Sequence, residues 1–65
     1  MSMVRKVVGG VDTHADFHVA TAIDGNGGLL GVEAFPADSA GYEALLDWLV
    51  GFGEVIRVGV EGTGS

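Results

Sequence analysis

The apolar positions change period along the chain, and the changes mark its elements. Val4 to Asp12 is an apolar, valine-rich run without clean alternation, as expected of a central strand covered on both faces. Gly9 and Gly10 weaken that strand unless something packs closely against them. Thr13 to Asp16 is a short polar turn. Phe17 to Asp24 then alternates, with Phe17, Val19, Thr21 and Ile23 on one side and His18, Ala20, Ala22 and Asp24 on the other. Asp24-Gly25-Asn26-Gly27-Gly28 is the strongest turn signal in the chain, because Gly and Asn accept the positive φ of tight hairpins. Leu29 to Phe35 returns as a third strand, and Pro36 ends it.

Asp38 or Ser39 is placed to cap a helix. From Gly41 to Phe52 the period becomes helical, with Tyr42, Leu45, Leu46, Leu49 and Phe52 as the apolar stripe and Trp48 toward its flank. Glu43 falls in the first turn on this reading, where an anion is favoured, and Gly51 and Gly53 offer a stop. Glu54 to Glu61 is a fourth strand, with Ile56, Val58 and Val60 on one face and Val55, Arg57, Gly59 and Glu61 on the other. A strand-helix-strand connection within one sheet normally yields a parallel pair. The order is therefore β-β-β-α-β, an α/β fold with a mixed sheet in the order 3-2-1-4. One helix covers one face of four strands, so the expectation is an incomplete domain that continues past Ser65. Gly62-Thr63-Gly64-Ser65 reads as a strand-to-helix turn with Ser65 as N-cap.

Composition narrows this picture. The chain has 65 residues, 48% of them hydrophobic and 18% charged, which excludes a disordered tail. A domain of this size buries only about 60% of its unfolded surface, and with no cysteine it has neither disulfides nor a cysteine-based zinc site to support it. The formal charge is −6, with Arg5, Lys6 and Arg57 as the basic residues. Such a chain does not coat nucleic acid unaided, because phosphate binding depends on Lys and Arg. No apolar stretch approaches the roughly 20 residues of a membrane span and no signal peptide is evident, so the expected setting is the cytoplasm.

The chemistry is carried by two acids. The first and fourth strands each end in a carboxylate with Gly-Val immediately before it: Gly10-Val11-Asp12 and Gly59-Val60-Glu61. If the strands are neighbours about 4.8 Å apart, Asp12 and Glu61 meet at one end of the sheet, each with a bare glycine two residues back on its own face. Two carboxylates completed by water and phosphate oxygens make a suitable Mg²⁺ site, and paired ions of this kind serve in-line attack on a phosphodiester. The alternative at this point is that Asp12 simply caps the turn that follows. His14 and His18 would suit zinc on a helix, but across a turn and a strand they stand about 13 Å apart. They read as a turn histidine and a surface strand histidine. Asp16 reads as a turn residue, with contact to the metal's ligands as the lesser alternative, and Tyr42 and Trp48 read as core or interface residues. Gly62 to Ser65 lacks the Lys of a P-loop.

The run Gly10-Val11-Asp12-Thr13-His14-Ala15-Asp16-Phe17-His18-Val19-Ala20, the hairpin, Phe35-Pro36-Ala37, the helix Gly41-Tyr42-Glu43-Ala44-Leu45-Leu46 with Trp48 and Leu49, and Val58-Gly59-Val60-Glu61-Gly62-Thr63-Gly64-Ser65 together resemble the opening of the DEDD transposases of the insertion-sequence one-ten family. The resemblance covers nearly the whole chain, in order. It implies a RuvC-like, ribonuclease-H-like N-terminal domain, with Asp12 as the first D and Glu61 as the E of a tetrad that binds Mg²⁺, or Mn²⁺ in its place, for DNA strand cleavage and exchange. It further implies DNA and a bridge (guide) RNA as partners of the full-length protein, a homo-oligomer when complete, and action at the bacterial nucleoid. The last two D positions and the C-terminal domain with its strand-transfer serine are missing here, so residues 1–65 are the N-terminal part of the catalytic domain. Without the rest, no transposase activity is expected. Two enzyme classes share the opening: an actin-like sugar kinase or ATPase, whose first loop is glycine-rich where this one is polar and acidic, and a RuvC-type junction resolvase. A non-catalytic truncated remnant is the third alternative.

Overall fold

A computed structural model describes residues 5–62; the Thr63-Gly64-Ser65 part of the expected turn, and Val4 of the first strand, lie outside the described residues. Four strands and one helix follow in the order expected: β1 (Lys6–Thr13), β2 (Phe17–Asp24), β3 (Leu29–Pro36), α1 (Ser39–Val50) and β4 (Glu54–Gly62). They form one sheet in the order β3-β2-β1-β4. β1 pairs antiparallel with β2 and β2 with β3, while β4 lies parallel to β1. This is the arrangement of an α/β, ribonuclease-H-like partial domain.

Hairpin chemistry explains the β2–β3 turn. Asp24 Oδ1 accepts from the backbone N–H of Asn26 at 2.9 Å and of Gly28 at 2.8 Å, an Asx arrangement that replaces ladder bonds at the tip. Gly27 supplies the positive φ, at 89°. Asn26 does not share it, since no non-glycine residue among those described has φ above zero. Asp38, rather than Ser39, is the helix cap: its Oδ1 accepts from Gly41 N at 2.6 Å, which satisfies one of the free N–H groups of the first turn. Ser39 is already helical, so Glu43 sits beyond the first turn and lends nothing to the dipole there. At the far end Gly53, with φ 152°, turns the chain back into β4. Its missing side chain leaves room for the Arg5 carbonyl, which accepts from Glu54 N at 2.7 Å and starts the β1–β4 pairing.

The core lies between α1 and one face of the sheet. It consists of Val7 and Val11 from β1, Ala20 and Ala22 from β2, Phe35 from β3, and Leu45 and Leu49 from the helix. Leu30, Trp48, Phe52 and Val55 pack around it. The helix therefore turns Gly41, Leu45, Trp48 and Leu49 inward. It ends at Val50, short of the Phe52 limit expected for it, and Phe52, two residues past that end, packs beside them. Tyr42 and Leu46, expected in the stripe, are 45% and 36% exposed, whereas Trp48, expected at its flank, makes edge contacts with both Phe35 at 5.7 Å and Phe52 at 4.9 Å. Bulky aromatics at 48 and 52 need depth, and the bare Gly31 on β3 gives it: a Cβ there would come within 3.0 Å of Phe52 and 3.3 Å of Trp48. The packing of the rings rotates the stripe away from Tyr42.

β4 departs from simple alternation. Val7 pairs with Val55 but Val8 pairs with Arg57, which leaves Ile56 as the extra residue of a bulge. Val55 consequently joins Val58 on the helix side instead of sharing a face with Arg57, Gly59 and Glu61.

Candidate metal centre on the open sheet face

The face of the sheet opposite α1 carries the two acids. In the β1–β4 register Gly10 is the partner of Gly59 and Asp12 of Glu61. In the β1–β2 register Thr21 stands beside Gly10 and Val19 beside Asp12. These residues line a shallow open depression of about 340 Å³. The parallel crossover thus brings together carboxylates that are 49 positions apart in sequence, on strands about 4.8 Å from each other.

Space beside the acids comes from the glycines. A Cβ built on Gly10 or on Gly59 would meet no atom of the described residues within 4 Å, so among them both positions are open on the acid-bearing face. The donor set is two exposed carboxylates, hard oxygen ligands of the kind Mg²⁺ and Mn²⁺ take. Among the described residues no hydrogen bond holds either carboxylate, and no group of three or more His, Asp or Glu side chains converges as a complete cage. The residues fit a divalent ion with two protein ligands and leave its other positions to ligands from elsewhere.

His14 is the neighbour that the sequence pattern did not signal. Its Nε2 lies 3.6 Å from Asp12 Oδ2. Its ring stacks on Phe17 with centroids 4.7 Å apart and planes at 23°, and its backbone N–H donates to the Phe17 carbonyl at 3.0 Å, closing the β1–β2 turn. A period count sees only a turn histidine; the useful signal was its place two residues beyond the acid and three before an aromatic. Thr13 Oγ1 donates to the Glu61 carbonyl at 3.4 Å and ties the two strand ends together. His18 is not the surface residue expected. It pairs with Phe35 and Thr13 in the two ladders, on the helix side, and its Nδ1 is buried with no hydrogen-bond partner among the described residues. The two histidines do not form a ligand pair, and Asp16 bears no interaction with the acids: its carbonyl accepts from Ala37 N at 3.2 Å.

The model of a family described as transposase, the DEDD transposases of the insertion-sequence one-ten type, matches residues 9–65. That span takes in β1 from Gly9 onward, both acids and all the other elements, and the chain belongs to this family. No curated protein and no solved structure matches it. Membership in a transposase family sets aside the actin-like kinase reading.

Proposed function

We propose that this member of the DEDD transposase family carries the first half of a divalent-metal site for DNA strand cleavage and exchange in transposition. The observation that supports it is the registration of Asp12 against Glu61 beside two unobstructed glycines on the open face of the sheet. Asp12 and Glu61 would hold Mg²⁺ or Mn²⁺. When bound, such an ion supplies polarisation of a phosphodiester oxygen and a more acidic water. The carboxylates themselves place two negative charges at one strand end, which repels a bare phosphate, so the same pair that recruits a cation excludes DNA without one. Gly10 and Gly59 keep the approach free of side chains. Val19 and Thr21 form the floor beside Asp12 and Gly10.

The remaining two acids of the tetrad belong, on this reading, to protein beyond these 65 residues, and residues 1–65 are the N-terminal part of the catalytic domain. DNA is the partner that family membership supports. A guide RNA, a homo-oligomeric complete transposase and action at the nucleoid of a bacterial cytoplasm are the finer parts of the same proposal. No helix among the described residues is long and apolar enough to cross a membrane.

Titration of the 65-residue chain with Mn²⁺, followed by electron paramagnetic resonance, tests the site. Binding that disappears in both Asp12→Asn and Glu61→Gln is expected. Equal binding by the wild type and both variants would sink the proposal. In a DNA-cleavage assay with Mg²⁺ the isolated chain is expected to be silent, and Asp12-dependent cleavage would show that two acids suffice.

A further inference from the structure

We infer that His14 is a positioning residue for Asp12, held in place by stacking on Phe17, and that it fixes which carboxylate oxygen faces the ion. The inference rests on the metal-site reading above. Three observations converge on it. Asp12 is half exposed and no hydrogen bond orients its carboxylate among the described residues, so it is free to rotate. The imidazole comes near it, with Nε2 3.6 Å from Oδ2. The ring itself is restrained: Phe17 stacks on it from one side, and the short turn from Thr13 to Phe17 is closed by the His14 N–H to Phe17 carbonyl bond.

Phe17 adds weight because it has no place in the core. It opens β2 with 42% of its surface exposed, and the contact it makes in this region is with His14. The stack restricts the imidazole to a plane that keeps Nε2 toward Asp12. A separation of 3.6 Å is longer than a hydrogen bond, and a modest swing of either half-exposed side chain closes it to about 2.9 Å. Nε2–H then donates to Oδ2 and leaves Oδ1 for the cation. Ligating carboxylates are commonly oriented by such an outer hydrogen bond, and its loss typically costs 10–100-fold in metal affinity. Asp12 thereby gains the preorganisation that an exposed strand-end carboxylate otherwise lacks.

The test compares Mn²⁺ dissociation constants of the 65-residue chain and four variants, with circular dichroism confirming that each is folded. His14→Ala is expected to weaken binding about 10-fold. His14→Gln, whose amide can still donate, is expected to recover most of that loss, and Phe17→Leu, which keeps bulk but removes the stack, to fall between. Asp12→Asn is expected to abolish binding. Wild-type affinity in His14→Ala with none in Asp12→Asn overturns the positioning role and leaves the metal site standing. Loss in His14→Ala that His14→Gln does not restore overturns it as well, because the imidazole is then a ligand itself. Undiminished binding in Asp12→Asn, or no binding by the wild type, overturns the metal-site reading and this inference with it.

Discussion

Gly9 and Gly10 are adjacent in β1, identical in chemistry, and present for opposite reasons. Gly9 faces the helix: a Cβ there would stand 2.8 Å from Leu49 Cδ1 and 3.5 Å from Val58 Cγ2. Gly10 faces the acids, and a Cβ there would touch nothing within 4 Å. One glycine lets the helix close onto the sheet, the other keeps the depression around Asp12 and Glu61 open. The comparison extends to the whole strand. Val7, Gly9 and Val11 belong to packing, whereas Gly10 and Asp12 belong to the proposed site, and the period of two in a strand keeps the two faces separate. A one-residue slip would carry Asp12 into the core and Val11 to the open face.

The largest effect comes from breaking the packed side. Leu45 is fully buried at the centre of the helix interface, and Leu45→Ala is expected to cost about 2–5 kcal/mol. A 65-residue domain has little more stability than that, so urea melts should show the variant largely unfolded at room temperature. Gly9→Ala should follow at about 1–3 kcal/mol, the usual range for overpacking. Leu49 is fully buried in the core, so its methyl has little room to retreat. If Gly9→Ala melts with the wild type, the close approach of Leu49 is not what the glycine is for.

Gly10→Ala should do the reverse. Its methyl enters open space, and alanine loses less freedom than glycine on folding, so a gain of up to about 1 kcal/mol is expected. The same methyl narrows the approach to the acids and should weaken Mn²⁺ binding. A stable variant with poorer binding separates the two faces in one substitution. Loss of stability in Gly10→Ala would contradict the assignment of that face as open.

Asp12→Asn probes the acid side more gently. Asp12 and Glu61 are like charges at one strand end, in a chain with formal charge −6. With no metal present, removing one should stabilise the fold by under about 0.5 kcal/mol, and the gain should shrink as salt is added. Thermal melts at low and high ionic strength read both parts. A substantial destabilisation would mean that Asp12 is held by the fold and not left free for a ligand.

Most of this division was legible in the sequence, and the failures have physical causes. The three-stranded meander, the crossover and the Asp12–Glu61 meeting followed from alternation, the Asp24–Gly28 turn and the change of period at the helix. Those signals are local, so they survive tertiary packing. The helix stripe was misplaced because Trp48 and Phe52 compete with Tyr42 and Leu46 for the same sheet, and a bare Gly31 decides the competition. Nothing within the helix reveals that. Val55 was assigned to the wrong face because a bulge at Ile56 resets the alternation, and a bulge leaves no mark on an apolar run of valine and isoleucine. His14 read only as a turn histidine because its approach to Asp12 depends on a ring stack and on side-chain direction, neither of which is a matter of spacing.

Asp12 has a counterpart at the opposite end of the same hairpin, and the contrast between the two acids yields the smallest prediction. Two backbone hydrogen bonds tie down Asp24, whereas Asp12 accepts none among the described residues and has the His14 imidazole 3.6 Å away. The Gly28 backbone N–H, then that of Asn26, donate to its carboxylate and lower its pKa from the ordinary 3.8, with the Arg5 charge adding to the effect. A group whose folded pKa is depressed contributes stability that is fully present above its unfolded value and disappears as pH falls through the folded one. The wild type should therefore lose a small increment of stability below pH 3.8 that Asp24→Asn does not lose. The asparagine carbonyl can still accept from Asn26 and Gly28, so the hairpin is retained and only the pH-dependent part goes. The difference between the two urea-melt series, from neutral pH downward, cancels the titration of the other acids as long as they are independent of residue 24. A difference that stays flat through that window would show that the Asx hydrogen bonds do not distinguish the ionised from the protonated carboxyl, and the contrast between a tethered Asp24 and an untethered Asp12 would lose its basis.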